Sequence, residues 1–207
     1  MNSLKLVLLT LFHPTDMLFL IKKQREKKNY LVVPIILLLF VAIRIIYIYS
    51  THYALVDVTP QTANLLLELA VMLIPILAWT ISVYLITTIT GGEMKFTELL
   101  TANAYCLMPY IVLTLPISLL SHVLSATSAG FYNVLNAILV VWVLILLFYS
   151  IMCLNNTGFF QTLGICVLGV IGMLLLACVV ILLAILTIQF VCFVQSVLLE
   201  FKIIMLN

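Results

Sequence analysis

The sequence predicts an all-helical integral membrane protein: a five-span transmembrane bundle with interfacial helices at its N-terminus and a long last helix. Of the 207 residues, 66% are hydrophobic and only 8% are charged. A soluble domain carries about 25% charged residues, so lipid must be the solvent for most of this chain. The mean hydropathy of +1.35 agrees with this, and the apolar runs have about the ~20 residues that a helix needs to cross a bilayer.

Residues 1–29 form the predicted N-terminal interfacial and cytoplasmic segment. Its opening apolar run is short and is interrupted by His13 and Pro14, which favours an interfacial amphipathic helix over a signal peptide. A second helix, capped by Thr15, leads into a run of basic residues. These residues are Lys22, Lys23, Arg25, Lys27 and Lys28. Beside a span, such a run indicates topology and contact with anionic membrane lipids, and we predict no nucleic-acid partner.

The predicted bundle covers residues 30–190, and residues 191–207 form an amphipathic extension of its last helix. The five spans are predicted at residues 30–50, 65–89, 99–124, 133–153 and 163–189. Tyr47 and Tyr49 mark one interface of the first span. No proline or charged residue interrupts residues 163–199, so one long helix is a simpler interpretation than two separate spans.

The distribution of basic residues orients the bundle. The basic run precedes the first span, which places the N-terminus in the cytoplasm. Alternation then places the polar loop at residues 51–64 outside, where it contains no Lys or Arg. It places the break at residues 90–98 inside, where Lys95 agrees with the rule. Because the number of spans is odd, the C-terminus is expected outside.

Arg44 is the one Lys or Arg inside a predicted span. On insertion scales an arginine at mid-membrane costs ~2.5–3.5 kcal/mol, so it requires a partner or a path to water. Glu68 lies near the start of the second span, and a short loop joins the two antiparallel spans, so both residues reach a similar depth. Two interpretations stay open: an Arg44–Glu68 ion pair at a partner or substrate surface, and snorkelling of Arg44 to the outer interface.

The stretch at residues 90–110 is the main polar break in the chain, and it is predicted to be a hinge and a cytoplasmic contact. The residues assigned to it are Gly91, Gly92, Glu93, Lys95, Glu98, Tyr105 and Pro109. Its charged residues have no nucleophile or histidine nearby, and its glycine pair lacks the G-x-x-x-x-G-K-[ST] pattern of a phosphate loop. We therefore expect a solvated turn, with Thr97 as the N-cap of the third helix and Glu98 in its first turn.

Two further features concern helix packing. Pro109 frees a backbone carbonyl one turn earlier, which the hydroxyl of Tyr105 or the amide of Asn103 is placed to satisfy. The last helix carries a partial stripe of small residues that would let another helix approach closely, from within the bundle or from a partner. The stripe comprises Gly164, Gly169 and Gly172.

Residues 12–28, FHPTDMLFLIKKQREKK, and residues 91–110, GGEMKFTELLTANAYCLMPY, resemble the Yip-domain (Ypt-interacting-protein) family in its bacterial form, as do the length and order of the spans. The tail at residues 190–203 resembles the end of such bacterial chains. The resemblance implies a five-span protein with a cytoplasmic N-terminus, here in a bacterial cell membrane, with a eukaryotic endomembrane as the alternative. Eukaryotic members act in vesicle trafficking with small GTPases and usually carry a longer N-terminal region, which we do not expect here. Bacterial members with this beginning tend to be encoded beside sugar importers of the ATP-binding-cassette (ABC) type.

The function that we predict is that of a non-enzymatic accessory or scaffold protein that binds other membrane proteins. The sequence contains no recognisable catalytic set, its five cysteines include no C-x-x-C pair, and no metal or cofactor is predicted. The resemblance implies permease subunits of an ABC importer as partners. A small channel or carrier is one alternative, although the polar residues available in mid-span are few. They are Thr80, Ser82, Thr87, Thr114 and Ser118. A membrane-trafficking or membrane-organising role, as in eukaryotic relatives, is the other alternative.

Overall fold

The computed structural model describes residues 18–19, 32–50, 64–92, 94–124 and 129–206, and the regular structure in these ranges is helical throughout. The main helices are α1 Val32–Ser50, α2 Leu65–Ile89, α3 Phe96–Cys106, α4 Met108–Leu120, α5 Ala129–Asn155 and α6 Phe159–Leu206. Among the described residues, five stretches are long and apolar enough to cross a membrane, and one of them combines α3 with α4. The prediction of an all-helical five-span protein with a long last helix is thereby confirmed.

Parts of the sequence prediction lie outside the described residues, among them the loop at residues 51–64, of which only Asn64 is described. The N-terminal interfacial helices and their basic run belong to a segment of which only Leu18 and Phe19 are described. Glu93, in the polar break, is also outside. Leu18 is fully buried and packs in the main hydrophobic core, so this part of the N-terminal segment lies against the bundle.

The third span is broken into α3 and α4 at Leu107. Pro109 has no N–H with which to continue the helical ladder back to Tyr105, and its position one residue into α4 is one that helices tolerate. The N–H of Leu107 instead donates to the carbonyl of Ala104 at 3.2 Å, and the N–H of Ile111 donates to that of Leu107 at 3.1 Å. The bond from Leu107 to Ala104 spans three residues instead of four, so the chain makes a tighter turn at the break.

This broken span is the centre of the bundle. It is the most buried of the five, and it packs against α1, α2 and α5. Its inward-facing positions include the small residues Ala102 and Ala104, which let neighbouring helices approach closely. Leu99, near the start of the span, and Met108, next to the break, are also buried in the core. The polar break that precedes α3 is thus attached directly to the least exposed element of the fold.

The two ends of the bundle are held by different contacts. At one end the α2–α3 turn lies beside the α5–α6 turn, where Gly92 faces the side chain of Asn155. At the other end, Nε2 of His122, after α4, lies 2.6 Å from the carbonyl oxygen of Ser50, the last residue of α1. These contacts join segments that are far apart in the sequence.

Within the part of the chain that the structure describes, helix α6 packs on the bundle through its first half alone. Its most extensive neighbour is α2, and it also contacts α5. Every residue from Ala177 to Ser196 is exposed. This second half is an apolar helix without a covering element among the residues that the structure describes.

Candidate functional site

Arg44 and Glu68, which the sequence places at a similar depth, form an ion pair in the structure. Nε and Nη2 of Arg44 donate to Oε2 of Glu68 at 3.2 and 3.1 Å. The two side chains are 26% and 13% exposed, so the pair is largely removed from solvent. Glu68 lies in the first turn of α2, where a carboxylate also suits the positive end of the helix dipole. The pair joins α1 to α2.

A tyrosine pair extends this polar cluster to α5. The guanidinium carbon of Arg44 lies 5.2 Å from the centre of the Tyr47 ring, within cation–π range. The hydroxyl of Tyr132, on α5, donates to the hydroxyl of Tyr47 at 2.8 Å, and both tyrosines are buried. We call Arg44, Glu68, Tyr47 and Tyr132 the polar cluster. It connects three helices through side chains alone.

The structure gives Tyr47 a buried partner that the sequence did not suggest. Its assignment to the membrane interface stays a prediction, and the structure packs it between α1 and α5, where its hydroxyl accepts from Tyr132. Tyr49, assigned with it, is exposed as expected of an interface residue. The sequence contained a signal for the contact between Arg44 and Tyr47, because residues three positions apart share one face of a helix.

Removing the Tyr132 hydroxyl should weaken the polar cluster by a measurable amount. Tyr132→Phe deletes one buried hydrogen bond and leaves the Tyr47 hydroxyl without this donor, at an expected cost of about 1–2 kcal/mol in the free energy of unfolding. Tyr49→Phe removes a hydroxyl from an exposed ring on α1 and is the matched control. Equilibrium unfolding of both variants in mixed micelles tests this, and equal stabilities would contradict a structural role for the tyrosine pair.

The start of α3 differs from the sequence prediction. The N-cap is Lys95 rather than Thr97, because the helix already begins at Phe96. Glu98, at the third helical position, accepts from the backbone N–H of Lys95 at 3.4 Å. A carboxylate at this position can satisfy the N–H of the cap residue. Glu98 is buried, whereas Lys95 is exposed. The expectation that the whole turn is solvated is therefore wrong for Glu98.

Other residues of the predicted hinge take different environments. Gly91 and Gly92 are exposed in the turn, and Gly91 adopts φ +75°, a conformation that side-chain-bearing residues rarely take. Tyr105 and Pro109 are buried on either side of the break at Leu107. Tyr105 and Pro109 therefore belong to the interior of the bundle. The exposed residues of the predicted hinge lie in the turn before α3.

Asn103 has a role that the sequence did not suggest. Its amide does not serve the carbonyl freed by Pro109; instead Nδ2 donates to Oγ1 of Thr80 on α2 at 2.9 Å. Oγ of Ser150, on α5, lies 3.5 Å from Oδ1 of Asn103. All three residues are fully buried. Asn103 thus ties the central helix to two neighbours in the middle of the bundle.

The mid-span hydroxyls that a carrier would need are buried and engaged. Thr80, Ser82, Thr87, Thr114 and Ser118 are each at most 2% exposed. All five donate to backbone carbonyls, at distances from 2.6 to 3.0 Å. These hydroxyl protons are therefore engaged in hydrogen bonds within the protein. This arrangement gives no support to the alternative function of a channel or carrier.

The small-residue stripe on α6 is used by α2, within the chain. A Cβ atom on Gly169 would lie 3.0 Å from Cγ2 of Val83, and one on Gly172 would overlap Oγ of Ser82. Ser82 donates to the carbonyl of Gly169 at 2.7 Å, a buried bond between the two helices. Gly164 has open space around it and takes no part. Two of the three predicted glycines therefore set the close approach of α6 to α2.

The model of the Yip1 domain family matches residues 8–182, which covers most of the chain. No curated protein and no solved structure matches the sequence.

Proposed function

The chain belongs to the Yip1 domain family, and on that premise we propose that it is a non-enzymatic accessory or scaffold protein that binds other membrane proteins. Its five apolar spans make it a multi-pass membrane protein. The observation that carries the proposal is α6, whose second half offers a long apolar surface with no neighbour among the described residues. We call residues Ala177 to Ser196 the free half of α6.

The length of α6 exceeds what a bilayer covers. Its 48 residues extend about 72 Å at helical rise, against about 40 Å for the 27 residues of α5. The candidate span within it, Phe159–Ser196, has 38 residues and is about 57 Å long. The hydrocarbon core is ~30 Å thick, so containing this stretch requires a tilt of roughly 60°, beyond the usual ~0–40° range.

The part of the apolar surface of α6 that the bilayer does not cover therefore requires contact with protein. Burying one large aliphatic or aromatic side chain contributes about 1.5–3 kcal/mol. The free half carries many such side chains, among them Leu186, Phe190 and Phe193. Helices of a second membrane protein would cover both the part in lipid and the part beyond it. A partner of that kind, rather than a soluble one, suits a surface that lacks charge.

For the partner we propose permease subunits of an ABC-type sugar importer. The support is the resemblance of residues 12–28 and 91–110 to bacterial members of the family. We also propose that the protein lies in a bacterial cell membrane, with its N-terminus in the cytoplasm and its C-terminus outside. The basic run before the first span and Lys95 in the α2–α3 turn support that orientation.

Purification of the full-length protein from native membranes in mild detergent tests the proposal. The expected result is a complex of fixed stoichiometry with the permease subunits. A Phe190→Ala, Phe193→Ala double variant should reduce the recovered partner at least tenfold, because two exposed rings are lost from the free half of α6. The double variant Phe131→Ala, Phe160→Ala removes two exposed rings elsewhere and should leave recovery unchanged.

Two outcomes would contradict the accessory role. One is a complex that both double variants retain equally, which removes the free half of α6 from the interface. The other is a protein recovered alone that transports solute across liposomes when pure, which supports the carrier alternative.

A further inference from the structure

The ion pair between Arg44 and Glu68 uses only part of the hydrogen-bonding capacity of each side chain. Oε2 of Glu68 accepts both bonds, from Nε and Nη2 of Arg44, at 3.2 and 3.1 Å. A guanidinium carries further N–H groups on its two terminal nitrogens, and a carboxylate has a second oxygen. Within the part of the chain that the structure describes, Nη1 of Arg44 and Oε1 of Glu68 accept or donate no hydrogen bond.

These two unused groups can be reached from outside the protein. The side chains of Arg44 and Glu68 are 26% and 13% exposed. Among the described residues, the buried side-chain atoms that lack a partner belong to Trp79 and Asn155. Nη1 of Arg44 and Oε1 of Glu68 are not among those atoms, so both are accessible at the surface. A ligand can therefore bind to both without replacing the bonds of the ion pair.

The two unused groups bind ligands of opposite charge. Nη1 and Nη2 of a guanidinium form a planar edge that binds two oxygens of a phosphate in parallel. A carboxylate oxygen is an acceptor only, so Oε1 of Glu68 binds a cation that carries an N–H group. An anion alone would occupy one half of this surface, and so would a cation alone. A zwitterion with a phosphate and an N–H-bearing ammonium satisfies both halves at once.

The position of the pair along its helices places it near the lipid headgroups. Arg44 lies six residues before Ser50, the last residue of α1, which is about 9 Å along the helix axis. Glu68 lies in the first turn of α2. The long stem of an arginine lets its charged end reach towards the membrane interface. At that depth a bilayer supplies the phosphate and the ammonium of phosphatidylethanolamine.

The surface of α2 beside Glu68 suits the acyl chains of a lipid. Leu66, Leu67 and Val71 are 78%, 58% and 60% exposed. Each of them lies within one helical turn of Glu68, and Val71, three residues further on, shares its face of the helix. A charged pair beside exposed hydrocarbon matches a ligand that has a zwitterionic head and apolar tails.

We propose that Arg44 and Glu68 form a binding site for a phosphoethanolamine group, with the phosphate on the guanidinium edge and the ammonium on Oε1 of Glu68. The group is carried by phosphatidylethanolamine in the bilayer or by a soluble ester such as glycerophosphoethanolamine. The ion pair thus has a ligand in addition to its role in joining α1 to α2. The site goes beyond the accessory role and does not rest on it.

Native mass spectrometry of the full-length protein, released from vesicles of defined composition, tests the headgroup. The vesicles contain equal fractions of phosphatidylethanolamine, its N,N-dimethyl derivative, phosphatidylcholine and phosphatidylglycerol, all with the same acyl chains. Wild type should retain the first two about tenfold more than phosphatidylcholine, which has the same charges but no N–H for Oε1 of Glu68. Phosphatidylglycerol, which has the phosphate but no ammonium, should also be retained less.

Three variants assign the preference to the pair. Glu68→Gln keeps the size of the side chain but removes its charge, so it should abolish the preference for phosphatidylethanolamine over phosphatidylglycerol. Arg44→Lys keeps the charge but loses the planar edge, and it should weaken retention of phosphatidylethanolamine even if Glu68→Gln fails to fold. Lys95→Gln neutralises an exposed residue beyond the opposite end of α2 and should retain lipids as wild type does.

Saturation-transfer NMR with glycerophosphoethanolamine and glycerophosphocholine tests the soluble source on the same variants. A response of wild type to the first ester alone, without selective retention of phosphatidylethanolamine, assigns the group to a soluble ligand. Three results would overturn the proposal. The first is equal retention of phosphatidylethanolamine and phosphatidylcholine together with no response to the soluble ester. The second is strongest retention of phosphatidylglycerol by wild type, which means that the guanidinium binds an anion alone. The third is a preference that neither Glu68→Gln nor Arg44→Lys changes.

Discussion

Replacing Glu68 by leucine is expected to lower the free energy of unfolding by about 3 kcal/mol, because it leaves the largely buried charge of Arg44 without its partner. Arg44→Leu should cost about half as much. The asymmetry follows from proton chemistry. A guanidinium stays charged under all ordinary conditions, whereas a carboxylate left alone in a poorly solvated place can take up a proton. Equilibrium unfolding in mixed micelles, followed by tryptophan fluorescence, measures both values.

The double variant Arg44→Leu, Glu68→Leu separates pairing from snorkelling. If the ion pair is the main interaction, the double variant is more stable than Glu68→Leu alone, because no buried charge is left. Lys95→Met removes a charge from an exposed residue and should change stability by less than about 0.5 kcal/mol. If Glu68→Leu costs no more than Lys95→Met, Arg44 is held by snorkelling, and the structural role of the pair is wrong.

The depth of Arg44 and Glu68 could be predicted because it depends only on counting along two antiparallel helices. Both residues lie near the ends of their spans, and the loop between the spans is short. The contacts with Tyr47 and Tyr132 could not be predicted in the same way. Tyr132 lies 85 residues from Tyr47, and which face of α5 meets α1 depends on how the helices rotate about their axes.

The sequence gives little information about the rotation of a helix about its axis when the helix has no distinct polar face. In a soluble helix the polar face indicates which side is outward. Here α2 and α6 have no distinct polar face, and lipid accepts the same residues as the core does. The bond between Asn103 and Thr80, and the contact between Gly172 and Ser82, therefore appear only in the structure. The sequence predicted that the small residues of α6 would allow a close helix contact. It did not predict whether α2 or a helix of a partner would make that contact.

The N-terminal end of α3 shows a different limit. Thr97 is a good N-cap residue, and nothing nearby in the sequence excludes it. The helix instead begins one residue after Lys95, with Glu98 accepting from the Lys95 N–H. A glutamate three residues after the cap is a recognised signal, but it usually accompanies Ser or Thr at the cap. The local sequence preferences for Thr97 and for Lys95 as the N-cap were close to balanced. The burial of Glu98 depends on how the bundle packs around it, which the local sequence does not show.

The second large effect is expected at Gly172, where α6 meets α2. Gly172→Val should lower the free energy of unfolding by about 2–3 kcal/mol, because the added atoms overlap the Ser82 hydroxyl and force the helices apart. Separation would also break the bond from Ser82 to the carbonyl of Gly169. Gly164→Val is the matched control on the same helix, since the space beside Gly164 is open.

The cause can be assigned by restoring the space on the opposite helix. Gly172→Ala adds one carbon and should be destabilising alone, while Gly172→Ala combined with Ser82→Gly removes the overlapping side chain and should recover part of the loss. Ser82→Gly alone loses the bond to Gly169 and gains nothing from the vacated space, so the two changes should be non-additive. Strict additivity, or a Gly164→Val variant as unstable as Gly172→Val, would show that valine disturbs α6 itself. In that case the glycines would not be what sets the approach of α6 to α2, and the free half of α6 would owe its position to some other contact.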